Sequence, residues 1–116
     1  MADSYQDLIV WQRAIQMTLA IYRLTAQFPT EERYGLTSQV RRAGVSVASN
    51  IAEGYGRMST GEYKQFLGMA RGSNLEVQTQ LVIARELGFG DVDQLLLADG
   101  LSQEVAKMLI ALIRKL

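Results

Sequence analysis

The segment Ser59–Gly88, STGEYKQFLGMARGSNLEVQTQLVIARELG, contains the start, the buried face and the end of one long helix. Its first four residues form a capping box, in which the Ser59 hydroxyl accepts a hydrogen bond from the backbone of Glu62 and the Glu62 side chain reaches back. Apolar and small residues then recur at the three- and four-residue spacing of an amphipathic helix. They are Leu67, Ala70, Asn74, Val77, Leu81 and Ala84. Because Gly88 favours a helix end, the helix is predicted to continue to about Leu87.

The segment from about Asp7 to Gln27 is predicted to form a first helix that is apolar on two adjacent faces. One row consists of Leu8, Trp11, Ile15, Thr18 and Tyr22, and the other of Ala14, Met17, Ile21, Leu24 and Phe28. One row is enough to line the core of a bundle, so the second row indicates contact with another subunit. Met17, Ile21 and Leu24 are predicted to lie near that contact. Pro29 ends the helix, because the residue before a proline avoids the helical region.

Two further helices complete the pattern. One runs from Leu36 to about Glu53 and is ended by Gly54 and Gly56, which are expected to take the left-handed conformation common at helix ends. Its inner positions are Leu36, Val40, Ala43, Val47 and either Asn50 or Ile51. The other begins after its N-cap, Asp91, with Leu95, Leu101, Val105, Met108 and Leu112 inside. Between the first two helices, TEERYG predicts a single turn capped by Thr30.

Four helices joined by short loops, with no segment that alternates like a strand, predict an all-α protein. The expected architecture is a single domain over residues 1–116, an antiparallel up-down-up-down four-helix bundle. If the turn before Ser59 centres near residue 58, Gly44 lies level with Gly72, and Ala48 with Gly68. Small residues facing each other predict a close helix crossing. The alternative is that these glycines lie on a surface that merely tolerates them.

The composition excludes several kinds of active site. The chain of 116 residues contains no cysteine and no histidine, which removes thiolate sites, the usual general base and the commonest metal ligand. The loop GYGRMSTG, Gly54–Gly61, follows a helix and lacks the lysine of a phosphate-binding loop. No enzyme activity, catalytic residue, cofactor or metal is therefore expected. Without a signal peptide or a run of about 18 apolar residues, a soluble cytoplasmic protein is expected, with no membrane contact.

Three polar residues, Asn50, Glu53 and Asn74, are predicted to have structural roles. Asn50 and Asn74 fall in inner rows, where one buried amide can fix the register of a helix. Glu53 lies near a helix C-terminus, where the dipole disfavours a carboxylate, so it needs a donor from a neighbouring helix or a second subunit. The alternative is that Asn50 and Glu53 bind a ligand.

The basic residues concentrate at Arg33, Arg41, Arg42 and Arg57. These side chains can hold phosphates of RNA or DNA, or they can form salt bridges to Glu31, Glu32 and Glu53 across a subunit contact. The chain has 12 basic and 12 acidic residues and a net charge of zero, so non-specific binding to polyanions is not its default behaviour.

Several segments together resemble a known family: LIVWQRA, FPTEERYGLTSQVRRAGVSVASNIAEGYGR, EYKQFLGMARGSNLEVQTQL and ARELGF. They are similar to the four-helix bundle proteins encoded within intervening sequences of bacterial 23S ribosomal RNA genes. The resemblance runs from about Leu8 to Leu116 and implies a bundle that assembles into a homopentamer. Accessory proteins of diversity-generating retroelements are similar as well, and that similarity implies binding to nucleic acid and a reverse transcriptase.

Together these observations predict a non-enzymatic, oligomeric four-helix bundle with an assembly or scaffold role. The second hypothesis is an RNA- or DNA-binding accessory module that works with a nucleic-acid enzyme such as a reverse transcriptase. A ring of basic residues in the assembled oligomer is the feature that this second hypothesis requires.

Overall fold

The computed structural model describes residues 4–116, and within them the chain forms four α-helices and no β-strand. The helices are α1 (Ile9–Thr25), α2 (Leu36–Tyr55), α3 (Thr60–Leu87) and α4 (Val92–Lys115). Two 3-10 turns, Tyr5–Asp7 and Thr30–Glu32, precede α1 and α2. The protein is all-α, as predicted, and its dimensions of 43 × 23 × 20 Å are those of an elongated bundle.

Each helix packs against two of the other three. α1 contacts α2 and α4, and α3 contacts the same two helices, so α1 and α3 occupy opposite corners of the bundle. Ser46 of α2 lies 2.8 Å from Ser73 of α3, oxygen to oxygen, and the ring of Tyr55 meets that of Tyr63 with centroids 6.2 Å apart. Residue numbers thus rise along α2 as they fall along α3, and the two helices are antiparallel. The contacts fit the up-down-up-down order.

Local sequence signals determine the start of α3 and the boundary between α3 and α4. The Ser59 hydroxyl accepts a hydrogen bond from the Glu62 N–H at 3.1 Å, and the Asp91 carboxylate accepts one from the Gln94 N–H at 3.0 Å. Gly88 ends α3 in the left-handed conformation, with φ of 72°. The Ser59 and Asp91 caps and the end at Gly88 are confirmed, but within residues 4–116 the Glu62 side chain forms no hydrogen bond back to Ser59.

Helix α2 begins at Leu36 as predicted, but the turn before it and its C-terminal end differ from the prediction. The 3-10 turn before α2 is not capped by the Thr30 side chain, and a Glu32 carboxylate oxygen accepts a hydrogen bond from the Leu36 N–H at 3.0 Å. The helix continues past Gly54, and Gly56 has φ of −77°, in the right-handed region. The expected left-handed end at Gly54 and Gly56 is therefore wrong.

Both apolar rows of α1 are largely used inside the bundle. The side chains of Met17, Ile21 and Leu24 have no exposed surface, because α1 packs against α2 on one side and α4 on the other. The prediction that these three residues lie near a subunit contact is corrected: they are core residues and offer no surface to another chain. In the other row, Trp11 is half-buried and Tyr22 is 42% exposed.

The predicted crossing of Gly44 with Gly72 does not occur. A Cβ atom on Gly44 would lie 3.1 Å from Cδ1 of Ile21, so this glycine faces α1. A Cβ on Gly72, or on Gly68, would meet nothing within 4 Å. The two α3 glycines face away from the bundle because the core side of α3 is the row predicted from its spacing, all of which is buried.

The close approach between α2 and α3 lies instead at Gly54. A Cβ at this position would lie 2.9 Å from Cβ of Phe66 and 3.3 Å from the carbonyl oxygen of Tyr63. Because a backbone atom and a Cβ cannot move aside as a flexible side chain can, only glycine lets the two helices approach this closely.

Candidate functional site

The four arginines singled out in the sequence fall into two separate places. Arg33, Arg41 and Arg42 line one groove on the outside of α1 and α2, with a volume of about 480 Å³; we call it the arginine groove. Arg57 lies beyond the other end of α2, where its guanidinium carbon sits 4.4 Å from the centre of the Phe66 ring. The predicted cluster is therefore a group of three.

Arg41 is held in place by α1. Its Nε donates a hydrogen bond to the Thr25 hydroxyl at 2.8 Å, and its guanidinium carbon lies 4.5 Å from the centre of the Tyr22 ring. The Thr25 hydroxyl in turn donates to the Ile21 carbonyl at 2.8 Å. A guanidinium carries five N–H donors, so Arg41 keeps others for a ligand although Nε and Nη2 already donate to α1.

Within residues 4–116, no carboxylate forms an ion pair with the three arginines of the groove. Two of the proposed acidic partners are engaged elsewhere in the chain. Glu32 accepts the hydrogen bond at the start of α2, and Glu53 pairs with Arg57 at 3.6 Å. Of the three carboxylates considered from the sequence, Glu31 is the one without such a contact in the described chain.

The walls of the groove combine aromatic rings with hydroxyl groups. Tyr34, which precedes α2, is 89% exposed, and the Arg33 guanidinium carbon lies 5.9 Å from its ring centre. Thr37 is only 8% exposed yet lines the groove, and no partner for its hydroxyl is found in the described part of the chain. Ser38 also lines the groove. The groove therefore offers cations and a hydroxyl donor to an anion, and an aromatic surface to a flat apolar group.

No motif in the sequence marks the two tyrosines or Thr37 as members of a site. Tyr22 belongs to α1 and was assigned to an apolar row. Tyr34 lies in the loop between Arg33 and Gly35. The adjacent arginine is the one local feature of the sequence that indicates a binding role for this tyrosine.

The stretch Ser46–Arg57, which contains Asn50 and Glu53, holds α2 to itself and to α3. Asn50 is half-buried, and its amide nitrogen donates to the carbonyl and to the hydroxyl oxygen of Ser46, at 2.9 and 3.0 Å. Ser46 in turn meets Ser73 of α3. The inner position of α2 is occupied by Ile51, not by Asn50, and the expectation of a largely buried Asn50 is wrong.

Glu53 is exposed to solvent, and its arginine partner, Arg57, lies four residues later in the same chain. Its side chain is 61% exposed, and Arg57 approaches it at 3.6 Å. Asn74, by contrast, is 1% exposed and is hydrogen-bonded across to α4. The three structural polar residues thus act in three different settings: within a helix, at its solvated end and in the core.

Neither a metal site nor a membrane span is found in the described residues. Over residues 4–116, Asp and Glu side chains form no group of three or more that could hold a metal ion. None of the helices in this range combines the length and the apolar character that crossing a bilayer requires.

The fold and the groove define an all-α bundle protein in which Arg33, Arg41 and Arg42 line one groove, none of them with a carboxylate partner within residues 4–116. The model of the 23S rRNA-intervening sequence protein family matches residues 6–111, and the chain belongs to this family. Among solved structures, it is similar to a protein of unknown function of the S23 ribosomal protein family from Bacteroides thetaiotaomicron, with a TM-score of 0.80 and 20% identity. The match covers 90% of this chain and 98% of that one, and it shows a shared fold. No curated protein matches the chain.

Proposed function

We propose that the protein is a non-enzymatic subunit of a homo-oligomeric scaffold, and that copies associate through the outer face of α3. This outer face consists of Gly68, Gly72, Leu75, Thr79 and Val82, which recur at spacings of four and three residues. All five are exposed, and none is charged. The face of a bundle helix that points away from the core is normally polar, so this row of five exposed, uncharged residues, which Glu76 flanks, is the observation that carries the proposal.

The two glycines of this face strengthen the argument. A glycine inside a helix destabilises it by about 1 kcal/mol relative to alanine. A Cβ atom at Gly68 or Gly72 would meet nothing within 4 Å, so no packing within the chain requires a glycine at either position. Helix glycines allow the backbone of another helix to approach closely. A second copy of this chain supplies such a helix, and the family resemblance implies five copies in the assembly. The proposed contact therefore lies on α3 and not on the buried residues of α1.

The experiment is the mass of the protein in solution, measured by light scattering at micromolar concentration. The wild-type mass is expected to be several times the 12.9 kDa of one chain. Leu75→Lys and Val82→Lys place charges on the outer face at positions that are 49% and 45% exposed, so the bundle itself accommodates them. Both are expected to lower the mass.

The matched control is Leu97→Lys on α4, where the wild-type side chain is 55% exposed. It is expected to keep the wild-type mass. A monomeric wild-type protein contradicts the scaffold proposal, and unchanged masses for both α3 variants contradict the proposed interface.

A second candidate function is RNA or DNA binding, and the unpaired arginines of the groove favour it. Repetition of the groove around an oligomer produces a ring of cationic sites even though each chain has zero net charge. Affinity for mixed RNA, measured over a range of salt concentrations, tests this function. Contacts to several phosphates predict a steep fall of affinity with salt, whereas a protein that acts only as a scaffold shows no salt-dependent binding.

A further inference from the structure

We propose that the arginine groove is a binding site for a free nucleotide, with its phosphates on Arg33, Arg41 and Arg42 and its base against Tyr34. The groove lies on α1, α2 and the loop between them, away from the outer face of α3. The inference therefore goes beyond the scaffold function and does not depend on it.

The charge in the groove matches a terminal phosphate group. Arg41 and Arg42 are adjacent in the second turn of α2, Arg33 lies just before this helix, and none of the three has a carboxylate partner in the described chain. A phosphomonoester carries a charge of about −1.5 to −2 at neutral pH, and a diphosphate carries more. Three guanidinium groups in one groove suit such a group better than the single charge of one phosphodiester.

The groove is also partly organised before a ligand arrives. Arg41 is half-buried and is fixed by Thr25 and by the Tyr22 ring, so little side-chain entropy is lost when it binds an anion. Thr37 supplies a second, independent indication. The residue is 8% exposed and lines the groove, and its hydroxyl, which has no partner within residues 4–116, is not shut off from solvent. A phosphate oxygen is a suitable acceptor for this hydroxyl.

An aromatic surface beside the cations indicates that the ligand carries a ring. Tyr22 has one face covered by Arg41, whereas Tyr34 is 89% exposed, so Tyr34 has a ring face open for stacking. Stacking of a base on an aromatic side chain does not depend strongly on which base it is. The groove volume of about 480 Å³ lies within the range of about 300–1,000 Å³ typical of small-ligand sites.

Two other occupants fit the groove less well. Carboxylates of a second subunit are one, but of the three acidic residues named with these arginines, Glu32 and Glu53 are already engaged within their own chain. A long nucleic-acid strand is the other. It needs a continuous cationic track, whereas Arg57 lies beyond the C-terminal end of α2, which is about 20 Å from Arg42 at 1.5 Å per residue, and it is paired with Glu53.

Isothermal titration calorimetry of the full chain with ADP and GDP tests the proposal, with adenosine and inorganic pyrophosphate as separated halves of the ligand. ADP and GDP are expected to bind at least about tenfold more tightly than either half. Arg42→Gln removes an exposed side chain without a partner and is expected to weaken binding about 10- to 100-fold. Tyr34→Ala is expected to weaken it about 5- to 100-fold.

Lys107→Gln on α4 is the control for net charge, since Lys107 is exposed and lies outside the groove. It is expected to change the affinity less than twofold. Light scattering of each variant separates loss of the site from loss of assembly, and Arg42→Gln is expected to keep the wild-type mass. The proposal is overturned if ADP and GDP do not bind at millimolar concentration. It is also overturned if pyrophosphate binds as well as ADP and Tyr34→Ala has no effect, or if an RNA oligonucleotide without terminal phosphates binds and the nucleotides do not.

Discussion

Asn74 of α3 and Ser102 of α4 form a reciprocal pair of hydrogen bonds in the interior of the bundle. The Asn74 amide nitrogen donates to the Ser102 carbonyl at 3.0 Å, and the Ser102 hydroxyl donates to the Asn74 side-chain oxygen at 2.8 Å. The two residues are 1% and 0% exposed. Since a shift of either helix along its axis breaks both bonds, the pair specifies the register of α3 against α4.

The first prediction concerns this pair. Asn74→Ala leaves the Ser102 hydroxyl buried without its acceptor, and Ser102→Ala leaves the Asn74 oxygen without its donor. Each change is expected to lower the free energy of unfolding by about 1–3 kcal/mol. The double variant Asn74→Ala/Ser102→Ala is expected to cost less than the sum of the two single losses, because both polar side-chain groups are gone. Urea unfolding of the three variants measures this, and strictly additive losses contradict the coupling.

The second prediction compares two helix glycines. Gly54→Ala puts a methyl group 2.9 Å from Cβ of Phe66 and is expected to cost about 1–3 kcal/mol through overpacking. Gly100→Ala, in the middle of α4 and with nothing within 4 Å of the new methyl group, is expected to stabilise by about 0.5–1 kcal/mol. Thermal unfolding of both variants is the measurement. A raised melting temperature for Gly54→Ala rules out the close crossing there.

The third prediction concerns the two left-handed glycines between α3 and α4. Gly88 and Gly90 have φ of 72° and 80°. Alanine at Gly88 meets no atom within 4 Å, so it costs the backbone strain alone, about 1 kcal/mol. Alanine at Gly90 adds a methyl group 2.6 Å from Cδ1 of Leu24, a fully buried side chain, and is expected to be clearly more destabilising. Equal losses in urea unfolding contradict this difference.

Features of the fold set by neighbouring residues could be predicted from the sequence. The Ser59 and Asp91 caps, and the buried row of α3, depend on residues within one or two turns of each other. The pairing of Gly44 with Gly72 could not be predicted, because it depends on how each helix is rotated about its own axis. Gly44 faces Ile21 of α1, a contact that the numbering of α2 and α3 does not reveal.

The candidate site was predictable only in part, for the same reason. Arg41 and Arg42 are consecutive on one helix, so the sequence places them at the same level of α2, although their side chains leave the helix in different directions. Arg57 is near them in the chain but at the far end of α2. Tyr22 joins the groove from α1, a different helix, and its ring reaches Arg41 only through the packing of α1 on α2.

The fourth prediction concerns Glu53. Because its side chain is 61% exposed and its contact with Arg57 is a solvated one at 3.6 Å, the pair contributes little. Glu53→Ala is expected to change the free energy of unfolding by less than about 0.5 kcal/mol. It is also expected to leave the mass in solution unchanged, and Glu53→Gln is expected to behave in the same way. A loss of mass for Glu53→Ala, measured by light scattering, indicates that this carboxylate contacts a second subunit.

The last prediction concerns pH. Burial raises the pKa of Tyr63 above its usual 10.0, and the nearby Tyr55 raises it further. The unfolded chain therefore loses this proton at a lower pH than the folded chain does. The resulting stabilisation is fully present below pH 10 and is lost as pH rises through the higher pKa of the folded state.

Tyr63→Phe keeps the ring beside Tyr55 and is expected to reduce the loss of stability in urea unfolding between about pH 8 and pH 11. Tyr34→Phe, at an exposed ring, is the control and is expected to follow the wild-type curve. Identical curves for Tyr63→Phe and the wild type contradict the assignment to Tyr63.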